Sequence, residues 1–459
     1  MSKDARLIVL FSQILGEVVN TVIARRAGTL GSVLRSLTVP LTDADLPKSA
    51  DGTLSSFLVP ESLCWVRRDE GLVGLGNVSE FTVRGPERFA EAQDWWAART
   101  AEAQVQDRVG VAGTGPVAFG SFAFSKLSGK DSRLIVPRLL VGLREGNAWL
   151  TMNSLHDDVS EEQARAEFAA WLASNQGCKP KGSFELSTGA LSEAEWMAVV
   201  AEGIKAIDER SLEKVVLARD IVARSSAPID RGTVLHALLR RYRECWTYGV
   251  GDFVGATPEM LIKVEAGVAR ARVLAGTVDR AGAPDDPGYA AQMLLDSEKQ
   301  RQEHEFAVRS LIRQLAPFAA DLHFPTEPFI LELPNVWHLA SDVSAELAAV
   351  GNHLPNSLAL VEALHPTAAV CGTPRTEAGA LIRELENFDR GPYAGPVGWL
   401  DSAGNGEWGI GLRGAVLENE FQARLYAGCG IVGASDPAAE LAETWAKFRP
   451  MLQALGAQE

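Results

Sequence analysis

Short apolar runs separated by turns recur through residues 1–185, as in Ser55-Ser56-Phe57-Leu58-Val59, Val117 to Phe124 and Arg133-Leu134-Ile135-Val136-Pro137. Runs of this length, with turn residues between them, read as strands. They are too many, with too few helices to carry crossovers, for a doubly wound parallel sheet. At 459 residues and 46% hydrophobic the chain holds ample apolar material for a large core. Residues 1–185 read as one strand-rich part and 186–459 as the rest, with a connecting segment from Asn175 to Ser187 where Gly, Pro and Lys crowd together.

Net charge is −15 and the isoelectric point about 5.1, so a polyanion or an anionic membrane is repelled unless a basic patch compensates. Arg240, Arg241 and Arg243 around Tyr242 come nearest to one, and read as a solvated helix face. Nucleic-acid and membrane partners are not expected. The five cysteines are odd in number and never two residues apart, which argues against a disulfide framework or a thiolate zinc site and for a reducing cytoplasm. The apolar run Leu7 to Phe11 is soon interrupted by Ser12, Gln13 and Glu17, so a signal peptide is not expected. No stretch reaches the roughly 18–20 apolar residues that cross a bilayer.

Past the connecting segment the periods sharpen. Ser192 and Glu195 have capping-box spacing ahead of Trp196, Val200, Ile204 and Ile207 at helical intervals. The period then becomes two, with Lys214, Val216 and Ala218 on one side and Val215, Leu217 and Arg219 on the other. A helix is expected from about Ser297 through Leu315, and another opens at Asp436-Pro437. Two glycine-rich stretches do not make a nucleotide site. Gly113-Thr114-Gly115-Pro116 leads into a strand rather than a helix, and Gly428-Cys429-Gly430 follows the strand-like Ala423 to Tyr426 and reads as a close backbone approach.

Candidate chemistry lies in the later part. Lys214, beside Val215, Val216 and Leu217, is either an edge-strand lysine reaching water or a buried amine whose desolvation makes it a usable base. Glu259 follows Thr257-Pro258 and precedes an apolar strand, so it is either a turn residue or a carboxyl kept protonated in a partly dry pocket. Leu274-Ala275-Gly276-Thr277 reads as a strand ending in a turn. Glu303 sits on a helix beside His304, and Glu440, Glu443 and Lys447 share one helix face. Each set alone also fits a solvated charged face. Oxygen ligands without a histidine pair at zinc spacing suggest a hard cation, magnesium first.

The order of these segments is more specific than any one of them. Leu212-Glu213-Lys214-Val215-Val216-Leu217-Ala218-Arg219 is followed by Gly255 to Glu259, Leu274 to Thr277, Ser297 to His304 and Trp337-His338-Leu339. Then come His365-Pro366-Thr367, Asp389-Arg390 with Tyr393-Ala394-Gly395, and Gly428 to Val432. This order resembles that of the chorismate-utilising enzymes, and most closely the isochorismate synthases, strongly over 190–455 and loosely before. The resemblance implies an α/β (α+β) fold, a large single domain of antiparallel sheets packed together with helices outside and the site in a cleft.

It also implies roles. Lys214 matches the base that activates water, and Glu259 the acid that protonates the departing hydroxyl. Glu303 and Glu443 match magnesium ligands, with Glu440 a water-mediated partner. Thr277, Tyr393, Arg413 and the backbone at Gly428 to Gly430 match binders of the substrate carboxylates, with Lys447 close by. His338 matches a histidine near the reacting face, or packs. The implied reaction is magnesium-dependent isomerisation of chorismate to isochorismate, feeding menaquinone; the alternatives are a salicylate synthase or an isochorismate synthase of a siderophore pathway.

Sibling enzymes differ at few positions. Anthranilate synthases carry glutamine where Lys214 stands and take ammonia from a glutaminase. Aminodeoxychorismate synthases carry lysine at the Ala275 position, and salicylate synthases threonine at the Ala369 position. These differences favour release of isochorismate, without a glutaminase subunit, from a protein expected to be a monomer.

Overall fold

The computed structural model describes residues 32–49, 51–174, 177, 182–210, 212–279, 286–332, 336–349 and 353–457, without the side chains of 210, 275–279, 287, 290, 291, 299, 303, 332, 336 and 338. The apolar run Leu7 to Phe11 and most of Asn175 to Lys181 lie outside the described residues. Among the described residues the strands form two large sheets, of 13 and 10 strands. Pairing among the described residues is antiparallel except between Arg35–Pro40 and Gln104–Asp107. The alternation of short strands and turns produces this outcome, because antiparallel neighbours need only a tight turn between them.

In the first sheet the strand Lys214–Ser225 pairs with Gln422–Ile431, which pairs with Gly414–Asn419, then Phe253–Thr257, Trp246–Val250 and Leu63–Arg67. The second runs from Ala319–His323 through Val336–Leu347, Val268–Asp279, Met260–Glu265, Gly406–Ile410 and Pro396–Asp401 to Val117–Ser121, Ser132–Val136 and Ser79–Val83. Strands from before and after residue 185 thus stand in both sheets. The sheets meet through Trp65, Tyr248 and Phe253 of the first and Phe119, Ile135, Val397 and Trp399 of the second, all buried in one cluster. Face-to-face packing of large apolar side chains at this density is a main source of stability.

Helices cover the outside. Glu193–Arg210 starts in a true capping box: Ser192 N–H donates to Glu195 Oε2 at 2.8 Å, and Glu195 N–H donates back to Ser192 Oγ at 3.3 Å. The helix Glu298–Leu315 is capped by Ser297, whose Oγ accepts from the Gln300 N–H. Pro437–Leu455 is capped by Asp436, which accepts from Ala439 N–H at 2.9 Å, and ends on Gly456 at φ 85°. This last helix packs on the Gln422–Ile431 strand and on the helices Arg231–Arg241 and Glu193–Arg210. Among the described residues no helix is long and apolar enough to cross a membrane.

Local expectations needed correction at four places. Ser55 to Val59 is not a strand: Leu54–Phe57 forms a 3₁₀ turn that buries Leu54 and Phe57 together, a three-residue spacing that suits that geometry. The strand expected to reach Phe124 stops at Ser121. The strand-like Ala423 to Tyr426 continues to Ile431, so Gly428 to Gly430 lie inside a strand. The strand expected to end in a turn at Leu274 to Thr277 does not end there; Val268–Asp279 continues past Thr277, with a register shift between Ala275 and Thr277.

Candidate active site

Four strand ends of the first sheet come together. Lys214 opens its strand, Gly430 lies at the end of the neighbouring one, and the next two strands lead directly into the second sheet. Phe253–Thr257 passes through Pro258-Glu259 into Met260–Glu265, and Gly406–Ile410 passes through Gly411-Leu412-Arg413 into Gly414–Asn419. Glu259 and Arg413 therefore ride on adjacent crossovers between the sheets.

The two crossovers are bonded to each other. Ile410 N–H donates to the Glu259 carbonyl at 3.0 Å, Thr257 Oγ1 donates to the Ile410 carbonyl at 2.6 Å, and Ala256 N–H donates to the Arg413 carbonyl at 3.4 Å. Arg413 holds φ at 51°, a left-handed conformation uncommon for a residue with a Cβ and characteristic of functional turns. Tyr393-Ala394-Gly395 is tied to the same place, since Ala394 N–H donates to Gly411 O at 2.9 Å and Gly411 N–H to Gly395 O at 2.8 Å.

The Lys214 side chain lies across the bare backbone of Gly430; a Cβ there would stand 2.5 Å from its Cε and 3.2 Å from its Nζ. Glu259 is half-buried, and its carboxyl lies within electrostatic reach of Lys214, Lys447 and Arg413. Loss of solvation raises its pKa above the ordinary carboxylate value of 4.5, and the pull of the three cations downward does not cancel that. Tyr393 is buried, its ring stacked on Tyr426 at 5.3 Å, and burial raises its pKa, so the phenol keeps its proton as a donor.

The C-terminal helix supplies the acidic corner. Oxygens of Glu440 and Glu443 and the Cys429 Sγ all lie within 4.8 Å of one another. The Cys429 thiol donates to the Glu440 carbonyl at 3.3 Å and burial raises its pKa, which leaves the two carboxylates as the ligand-type atoms. Oxygen donors of this kind fit a hard divalent cation. Lys447 pairs with Glu443 at 2.5 Å and donates to the Gly428 carbonyl at 2.8 Å, joining this corner to the Lys214 side.

Glu303 lies on the helix Glu298–Leu315, which packs on the strands Val268–Asp279 and Val336–Leu347. Those strands pair Thr277 with His338. The helix is tied to them by buried His304, whose Nε2 lies 2.8 Å from Ser341 Oγ. The side chains of Glu303, Thr277 and His338 fall outside the described ones, so these residues are placed by backbone alone. Ala369 is exposed in the turn Thr367 to Val370, whose last residue is buried.

The model of the chorismate binding enzyme family matches residues 33–456. The salicylate biosynthesis isochorismate synthase of Pseudomonas aeruginosa is 33% identical over 86% of this chain and 85% of its own. The isochorismate synthase MenF of Bacillus subtilis is 30% identical over 84% and 86%. The structure of MenF from Escherichia coli, described as a menaquinone-specific isochorismate synthase, superposes with a TM-score of 0.71 at 25% identity, covering 97% of this chain and 100% of that one. The chain belongs to the chorismate-binding enzymes.

Sequence reasoning missed one feature of this chorismate-binding enzyme. Glu386 and Arg390 form a buried ion pair, 2% and 3% exposed, against the Lys214 strand. Glu386 accepts from Ala218 N–H at 2.7 Å, while Arg390 donates to the carbonyls of Val216 at 2.6 Å and Val370 at 2.9 Å. The pair joins that strand to the segment carrying Ala369. Its one sequence signal, Glu and Arg four apart, is the same as that of an ordinary surface pair on a helix.

Proposed function

We propose that this chorismate-binding enzyme is an isochorismate synthase. Lys214 takes a proton from water as the oxygen bonds to the ring carbon next to the one bearing the carboxylate. The ring double bonds shift, and the hydroxyl across the ring departs with a proton from Glu259. One water is consumed and one released, so no redox partner or covalent nucleophile is needed. The observation that carries this reading is Glu259, a carboxyl held toward its neutral form by burial yet set among Lys214, Lys447 and Arg413.

Tyr393, Arg413, Lys447, Thr277, His338 and the Gly428 to Gly430 backbone are proposed to hold the substrate around this axis. Glu443 and Glu303, with Glu440 through a water, are proposed to hold magnesium, which when bound offsets the charge of the substrate carboxylate. Without such cations a dianion would be repelled by a chain of net charge −15. The enzyme is proposed to act as a monomer without a glutaminase, in the cytoplasm. The full-length likeness to the menaquinone-specific MenF of Escherichia coli supports menaquinone assembly as the destination of the product.

Incubation with chorismate and magnesium, with product identification by chromatography, tests the reading. Isochorismate is expected, and Lys214→Ala and Glu259→Ala are each expected to lower turnover by roughly 10²–10⁴-fold. Stoichiometric pyruvate in a coupled lactate dehydrogenase assay would instead make the protein a salicylate synthase, the activity that Ala369 argues against.

A further inference from the structure

The alternation along Lys214–Ser225 places Arg219 on the same side as Val215 and Leu217, among apolar neighbours. It is 2% exposed. Its guanidinium carbon lies 5.1 and 5.3 Å from the ring centroids of Trp445 and Phe448, which themselves meet edge to face at 5.8 Å. Nη1 donates to Thr444 Oγ1 at 2.9 Å, and the Thr444 hydroxyl spends its own proton on the Leu441 carbonyl at 2.7 Å. Nη2 lies 3.7 Å from Glu193 Oε1, the oxygen that accepts from Trp445 Nε1 at 2.7 Å. One side chain on the Lys214 strand thus grips three residues of the C-terminal helix and, through Glu193, the start of Glu193–Arg210.

We propose that Arg219 is a positioning residue that sets the rotation of the C-terminal helix, and so places Glu440, Glu443 and Lys447 relative to Lys214. The proposal rests on the reading of Glu443 as a metal ligand. At about 100° per residue, Thr444 lies about 40° around the helix from Glu440 and about 100° from Glu443, so the gripped face borders the carboxylate face. A turn of about 10° moves a carboxylate carried roughly 6 Å from the axis by about 1 Å, enough to spoil a ligand set. Packing alone would be served better by an aliphatic residue, because a buried guanidinium carries a large desolvation penalty. What the arginine adds is direction: cation–π contact with two rings set at 66° to one another and a hydrogen bond to one hydroxyl fix the helix orientation more narrowly than an aliphatic contact does.

The test measures magnesium binding to the full-length protein by calorimetry, the magnesium concentration for half-maximal turnover, and thermal unfolding. It compares the parent, Arg219→Met, Arg219→Lys, Thr444→Val and Glu443→Gln. Arg219→Met is expected to need roughly 10–100-fold more magnesium, the usual cost of losing a group that orients metal ligands, with turnover restored at saturating metal. Arg219→Lys, which lacks the planar fork, is expected to rescue little, and Thr444→Val to fall between Arg219→Met and the parent. A lowered unfolding temperature with an unchanged magnesium requirement in Arg219→Met would reduce Arg219 to a packing residue and overturn the proposal. Should Arg219→Met fail to fold, Thr444→Val decides the question by the same criterion. If Glu443→Gln itself binds magnesium like the parent, it is the metal assignment that fails, and the magnesium requirement of Arg219→Met no longer reports on helix placement.

Discussion

Replacing Gly430 with alanine should disable the enzyme while leaving it folded. The added Cβ would stand 2.5 Å from Lys214 Cε, 3.2 Å from Nζ and 3.8 Å from Cδ. An unstrained carbon–carbon contact needs about 3.5–4.0 Å, so the lysine tail must retreat by about 1 Å. The strand backbone on both sides is fixed by pairing of Val215 with Ile431 and Val216 with Gly430, so the flexible end of the lysine gives way. A displacement of about 1 Å in a group that must meet its proton in line costs about 10²-fold in turnover.

Stability should hardly change. Gly430 is not among the residues with positive φ, so alanine is compatible with its backbone. Such a replacement stabilises by about 0.4–1 kcal/mol through the unfolded chain, offsetting the local adjustment. Turnover of chorismate at saturating magnesium, a chorismate dissociation constant and a thermal melt would be measured together. The expected result is a loss of about 10²-fold in turnover and an unchanged melt. Turnover within about threefold of the parent would refute the argument that Lys214 owes its position to the bare backbone at Gly430.

Other expectations follow from the same geometry. The fold favours neutral Glu259, so the stability it contributes is whole below the ordinary carboxylate value of 4.5 and is lost as pH rises through the raised one; Glu259→Gln should gain on the parent in melting temperature as pH rises, while turnover of the parent falls over that same range. Excess chelator should abolish turnover and added magnesium restore it, and Glu443→Gln should raise the magnesium requirement in the same assay. Arg390→Met should cost about 3–5 kcal/mol in urea unfolding by leaving Glu386 charged and buried without its partner. Ala369→Thr should increase pyruvate release in the coupled assay, and no increase would show that the turn at Ala369 does not control elimination.

The residues themselves determined what depends on near neighbours along the chain. The capping box at Ser192 and Glu195, the helix start near Ser297, the cap at Asp436 and the strand from Lys214 were legible because each is fixed by spacing within a few residues. The single face of Glu440, Glu443 and Lys447 was equally legible from helical periodicity. Tertiary structure decided the rest, because burial and electrostatic neighbours belong to the assembled chain. Ser55 to Val59 has the composition of a strand, yet the core accepts Leu54 and Phe57 through a 3₁₀ turn. Glu386 and Arg390 look like a surface pair until the Lys214 strand folds over them and leaves each the other's only counter-charge among the described hydrogen bonds and ion pairs. Glu259 becomes a candidate acid only when the chain crosses between the sheets at Pro258, which partly desolvates its carboxyl and sets it among Lys214, Arg413 and Lys447, cations that arrive from three other places in the sequence.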